Sequence, residues 1–111
     1  MPLEFLDPGK LRTPLQLQSR NDVSDGQGGV ERSWHTVTDL FAYVEPTNGT
    51  ARSRGSRDEN LITHRVTIRY RDGVEADQRF VRNERNFDIR SVHDVDETKR
   101  YLLCLCEEVT P

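Results

Sequence analysis

Apolar and polar residues alternate along most of this chain, most regularly between residues 61 and 71. Ile62, Val66, Ile68 and Tyr70 fall on even positions, with His64 among them; Thr63, Arg65, Thr67, Arg69 and Arg71 fall on odd ones. Successive side chains of a strand point to opposite faces. The stretch therefore predicts a long strand with one apolar face and one cationic face. An outward row of Arg65, Arg69 and Arg71 calls for a cover, such as another copy of the chain.

The same period recurs elsewhere. Leu11, Thr13, Leu15 and Leu17 alternate with Arg12, Pro14, Gln16 and Gln18, giving a first strand in which Pro14 requires an edge or a bulge. Asn21–Gly29 reads as a turn, with Asp25-Gly26 and Gly28-Gly29 suited to the positive-φ positions of a hairpin. A second strand from Arg32 to Glu45 puts Trp34, Thr36, Thr38, Leu40, Ala42 and Val44 on one face and His35, Val37, Phe41 and Tyr43 on the other. Apolar groups on both faces mean a strand covered on both sides or strongly coiled, with a bulge predicted within Thr38-Asp39-Leu40. After the 61–71 strand and an Asp72-Gly73 turn, Gln78–Arg82 predicts a short strand carrying Phe80. Asn83–Asn86 turns the chain. Phe87, Ile89 and Val92 then skip a position, which predicts a bulge at Arg90-Ser91. Leu102, Cys104 and Cys106 alternate with Tyr101, Leu103 and Leu105 in a last strand that is apolar on both faces. There is no amphipathic helix beyond a single turn near Asp94–Lys99. Six strands with turns about every ten residues predict an all-β domain, a small antiparallel barrel or sandwich.

Two segments fall outside this pattern. Residues 1–10, broken by Pro2, Asp7, Pro8 and Gly9, read as an arm whose Leu3, Phe5 and Leu6 dock on a neighbour or cap the body at 11–111. Residues 46–60, between the second and third strands, are almost free of apolar groups and predict a long projecting loop, a kind of segment that usually carries function.

Composition narrows the role. One domain of 111 residues with 33% hydrophobic and 32% charged residues has a thin core, which oligomerisation would reinforce. A net charge of -3 opposes a dedicated, high-affinity nucleic-acid binder. No apolar run approaches the ~20 residues of a membrane span, and the start lacks the pattern of a signal peptide, so a reducing cytoplasm is expected. Cys104 and Cys106, two apart on one strand, rarely close a disulfide and read as buried thiols.

Candidate chemistry is sparse. His35, His64 and His93 are too scattered to fix a zinc ion, and only His64 is expected to be buried. Asp94, Asp96 and Glu97 lack the glycine-centred spacing of a calcium loop. No nucleophile elbow or phosphate loop occurs, and Ser53 and Ser56 sit in the loop. Neither an enzyme nor a cofactor or metal is expected. Arg52, Arg54 and Arg57, flanked by Asp58 and Glu59, are either a solvated linker or a phosphate contact. An alternative role is a small nucleic-acid-binding barrel using Tyr70, Phe80 and arginines as a stacking and phosphate surface.

The order of the pieces resembles a known family. Gly-Lys-Leu-Arg (9–12) opens a strand, an Asp-Gly turn (25–26) follows, and Ser-Trp-His-Thr-Val (33–37) runs into Phe-Ala-Tyr-Val-Glu-Pro (41–46). After a variable loop come His-Arg-Val-Thr-Ile-Arg-Tyr-Arg (64–71), Asn-Phe-Asp-Ile (86–89) and Leu-Leu-Cys-Leu-Cys-Glu (102–107). This series is similar to the head–tail joining proteins of tailed bacteriophages, the stopper or head-closure proteins, with counterparts in prophages and gene-transfer agents. Two departures are Asn83–Asn86, where many members carry a glycine, and the arginine-rich loop.

The resemblance implies a small β-barrel assembled as a sixfold or twelvefold homo-oligomeric ring at the neck of a virion, put together in the bacterial cytoplasm with no membrane involved. The ring would lie between the portal or adaptor protein and the tail-terminator or tail-tube protein. Packaged DNA would pass through its channel without sequence-specific binding. The task would be to keep DNA in and dock the tail. The loop, with Thr47, Asn48, Arg52, Arg54, Arg57, Asp58 and Glu59, would project toward the channel or a neighbour. From charge alone, Arg65, Arg69 and Arg71 opposite Asp94, Asp96, Glu97, Glu107 and Glu108 would suit a head-to-tail contact.

Overall fold

The computed structural model describes residues 7–24, 26–52 and 61–109, with the backbone alone at 23, 31–32 and 48–52. Six strands follow in chain order: β1 (Thr13–Ser24), β2 (Val30–Arg52), β3 (Leu61–Arg69), β4 (Arg79–Arg82), β5 (Arg85–Asp94) and β6 (Tyr101–Val109). All pairings are antiparallel, and the order β1-β2-β3-β6-β5-β4 closes on itself as a barrel. Closure pairs the edges that an open sheet of this size would expose.

The inward sets fill the barrel. Leu15 and Leu17 of β1, Ala42 of β2, Val66 and Ile68 of β3, Phe80 of β4, Phe87 and Ile89 of β5, and Leu102, Cys104 and Cys106 of β6 form one buried cluster. A smaller cluster lies outside the wall, where Tyr101 packs with Leu11, Tyr43 and Val95. Here the N-terminal side meets the barrel. Pro8–Lys10 make one 3-10 turn, capped by Asp7, whose Oδ1 accepts from the Gly9 amide at 2.9 Å. Leu3, Phe5 and Leu6 lie outside the described residues.

The long β2 resolves the puzzle of a strand that is apolar on both faces. It pairs with β1 from Val30 to Ala42 and with β3 from Ala42 to Arg52, changing partner near its middle. Leu17 opposes Thr38 while Gln18 opposes Thr36, so Val37 is the extra residue of a bulge. The expected site, 38–40, is one residue too late. The bulge exchanges faces: Leu40, Ala42 and Val44 pack on the core, whereas Trp34 pairs with Arg20 and lies under Arg79, outside the wall. The prediction that Trp34 shares the face of Ala42 therefore fails. The second predicted bulge occurs in place, with a register shift between Ile89 and Ser91.

Both hairpins flanking β2 run further than the pattern predicts. Asn21–Ser24, read as turn, are strand paired with Val30–Ser33. Pro46–Arg52, read as loop, are strand, and pairing resumes at Ala51–Ile62 after an irregularity. Alternation marks a strand with one face in oil; these ribbons run past the main core cluster, although Ile62 of the β2–β3 ribbon is itself buried. Arg54, Arg57, Asp58 and Glu59 lie outside the described residues.

Smaller features follow local chemistry. Pro14 sits where β1 has β2 on one side and β4 pairing has not begun, an edge position that tolerates a missing N–H. Asn83 takes φ +54 in the β4–β5 turn. Asparagine is among the few non-glycine residues that visit this region readily, so the missing glycine is accommodated. Val95–Glu97 form one 3-10 turn between β5 and β6.

Candidate interaction surfaces

The outward side of β3 is less uniform than its arginines suggest. Thr67 is only 4% exposed, flanked in the sheet by Tyr43 and Leu103. Arg65 is half-buried between Glu45 and Leu105, and its Nε is buried without a partner. Arg69 is exposed and opposes Tyr101. Arg71 lies just past the strand, with its Nε donating to the Asp72 carbonyl at 3.4 Å. The row is one accessible cation, two partly covered ones and a buried threonine.

The acidic residues do not lie on a separate surface. The Tyr70 amide donates to the Arg100 carbonyl at 2.9 Å, and Asp94 opposes Leu102, which in turn opposes Ile68. The Asp94–Glu97 turn thus lies at the same end of the barrel as Arg69 and Arg71. Glu107 and Glu108 are already engaged, on opposite faces of the sheet: Glu108 opposes buried Phe87 and Glu107 opposes Asp88. Glu108 accepts from Arg85 Nε at 2.7 Å and Nη2 at 3.1 Å; Glu107 accepts from Arg90 at 3.0 Å. The hydrogen bond from Arg85 holds the Glu108 carboxyl below its ordinary range.

Sequence patterning missed this wall. Arg79, Arg85 and Arg90 sit on β4 and β5 beside buried Phe80, Phe87 and Ile89, so alternation would have marked Arg79 as outward. Arg79 Nε donates to Gln18 Oε1 at 2.8 Å and its guanidinium lies 4.1 Å from the centre of the Trp34 ring. That stack joins residues 45 positions apart, which periodicity within either strand cannot reveal.

Groups read as candidate chemistry are largely structural. Burial pushes the Cys104 thiol up to about 12 and pushes Cys106 up further, so both are thiols rather than nucleophilic thiolates. His64 is half-buried, edge-on to Phe87 at 5.0 Å, with Nδ1 2.9 Å from the Thr63 hydroxyl. Burial lowers its pKa. His35 and His93 are exposed, and among the described residues no group of His, Cys, Asp or Glu is arranged to hold a metal. Phe80 is fully buried, so it cannot stack on a base, and the Tyr70 hydroxyl donates to Asp72 at 3.1 Å. No helix among the described residues is long and apolar enough to cross a membrane.

Comparison with known proteins agrees with the barrel. No curated protein sequence matches the chain. A solved structure from the virion of a native gene transfer agent particle aligns with a TM-score of 0.70 at 26% identity, covering 91% of this chain and 97% of that one. The solution structure of a protein from Shigella flexneri 2a aligns with a TM-score of 0.67 at 23% identity, covering 93% and 96%, a likeness of fold. The family model described as phage head completion protein matches residues 6–109. With that match spanning every strand of the barrel, the chain belongs to the phage head completion protein family, structural components of the virion.

Proposed function

We propose that the chain is the repeating unit of a head-closure ring at the neck of a phage-like particle. In this reading the ring lies between the portal or adaptor and the tail, retains packaged DNA and offers the surface on which the tail docks. The observation that carries it is the family match over residues 6–109. The likeness to a component of a gene transfer agent virion supports it. So does the architecture: a closed barrel is a stiff body, and the β2–β3 ribbon continues past it to Arg52 on one side and from Leu61 on the other.

Each part of the chain has a task in this proposal. The barrel is the wall of the ring. The ribbon carries residues 53–60 toward the channel or a neighbour, with Thr47, Asn48 and Arg52 on its stem and Arg54, Arg57, Asp58 and Glu59 beyond. Arg65, Arg69 and Arg71 with Asp94, Asp96 and Glu97 meet a neighbouring particle protein or subunit. Because Arg69 and Arg71 lie at the same end of the molecule as Asp94, Asp96 and Glu97, with Arg65 further along β3, the surface they make is mixed in charge and fits a partner of mixed charge.

The test is addition of purified protein to DNA-filled heads lacking it. Nuclease-sensitive DNA should fall and tail attachment should rise. Replacing Arg52, Arg54 and Arg57 by serine should release DNA while tails still attach. Heads that hold DNA and accept tails equally well without the protein would end the proposal.

A further inference from the structure

The barrel closes, yet the β1–β2 ribbon does not share in that closure. β4 pairs with β1 only at Gln16–Gln18, and β3 pairs with β2 only from Ala42 onward. Among the described residues, Ser19–Ser24 of β1 and Val30–Phe41 of β2 therefore each have one strand neighbour and one open edge. The exposed large hydrophobics of the described residues, Val30 (66%), Val37 (40%) and Phe41 (63%), all lie on that half of β2. An open edge with exposed apolar side chains is a template for another strand.

The two edges differ in charge. The β2 edge ends at a groove of about 400 Å³ where Leu40 and Phe41 meet Arg69 and Arg71. The β1 edge borders a cleft of about 470 Å³ between Ser19–Asp22 and the turn containing Glu75 and Asp77. Arg20 in that cleft is bound to Asp22 at 2.8 Å, which leaves Glu75 and Asp77 as its unpaired charges among the described residues. The end of the β2 edge presents Arg69 and Arg71 beside Leu40 and Phe41, with Asp39 on the strand and Asp72 next to Arg71, whereas the cleft at the β1 edge presents Glu75 and Asp77.

We propose that a second copy of this chain lays its β1 edge, Ser19–Ser24, antiparallel along the Thr36–Phe41 edge of β2, bringing Glu75 and Asp77 toward Arg69 and Arg71. The strand order across the contact is β1-β2 of one copy, then β1-β2 of the next, so the sheet continues as the same meander. Two different surfaces meet, which makes the contact heterologous and able to close into a ring. A six-residue ladder about 20 Å long supplies the hydrogen bonds, and the charges select the register. This inference rests on the reading of the chain as a self-assembling subunit.

Cysteine cross-linking of the full chain tests it, because the native thiols at 104 and 106 are buried and do not compete. Asn21→Cys and Asp39→Cys proteins, whose positions face each other in this register, oxidised as a mixture at high concentration, should give a cross-linked heterodimer, and each alone should give none. Arg69→Glu with Arg71→Glu in the Asp39→Cys chain should cut the yield about tenfold. Glu75→Lys with Asp77→Lys in the other chain should restore it. No cross-link in the mixture, or equal cross-linking of either variant with itself, overturns the proposal. So does cross-linking only after removal of residues 1–6, which would mean that the chain's own N-terminus holds the edge. Light scattering separates this failure from that of the ring: a ring-sized mass without the cross-link sinks edge pairing alone.

Discussion

Arg79 lies over Trp34, its guanidinium 4.1 Å from the ring centre, and so ties the short β4 to the ribbon beyond the Val37 bulge. The pair is half-buried and the same guanidinium donates to Gln18. Burial lowers the Arg79 pKa, partly opposed by Asp88. Trp34→Ala should cost about 1–2 kcal/mol, from the lost cation–π contact and the lost ring area. Urea denaturation would measure that cost. Hydrogen exchange should quicken in Ser19–Ser24 and Val30–Thr36 and stay unchanged in β3 and β6. Uniform quickening would show that Trp34 supports the barrel rather than the ribbon.

The two thiols offer a gauge of barrel opening. At pH 8 Cys104, with its pKa pushed up to about 12, and Cys106, pushed higher, are both protonated and enclosed. Neither should react with iodoacetamide in the folded protein, and the labelling rate should rise with urea in step with unfolding. Fast labelling without denaturant would contradict the packing around β6. Cys104→Ser should lower stability by about 1–3 kcal/mol, since a hydroxyl there meets the apolar cluster.

His64 gives the fold a pH dependence of defined sign. Burial lowers its pKa in the folded chain, partly opposed by Glu108 and assisted by Arg85. Between the lowered folded value and the ordinary value near 6.5, the unfolded chain binds the proton more readily. Stability is therefore full above about pH 6.5 and declines as pH falls through that window. His64→Gln should flatten this slope in urea titrations at pH 7.5, 6.5 and 5.5. An unchanged slope would assign it to another group.

The Arg85–Glu108 pair should matter less than its short distance implies. Both side chains are substantially exposed, at 49% and 32%, and exposed ion pairs contribute little. Glu108→Gln should cost no more than about 1 kcal/mol, and added salt should erase the difference. Because the Glu108 pKa is depressed by Arg85, its contribution is present above the ordinary carboxylate pKa and is lost as pH falls through the lower folded value. A larger cost would point to the Glu108 amide, which donates to the Thr63 hydroxyl at 2.7 Å, as the feature disturbed.

The charged candidates divide according to what each depends on. Arg65, Arg69 and Arg71 were legible as one outward set because they follow a period of two. Their accessibility was not, since Leu103 and Leu105 of β6 flank that face and partly cover it. Asp94, Asp96 and Glu97 were legible as a turn. Their place beside Arg69 depends on β3, β5 and β6 being neighbours, which local spacing does not encode. Glu107 and Glu108 looked like open acidic surface until β5 brought Arg90 and Arg85 against them.

The sequence by itself determined the strands that bury one face, the bulge at Arg90, the inward thiols and the all-β class. All of these are written in a period of two that one side of a sheet must satisfy. Tertiary structure alone decided the closure of β4 onto β1, the change of partner along β2 and the length of its two ribbons. Those features depend on which backbone edges find each other, and an N–H or C=O group pairs the same way whatever side chain stands beside it.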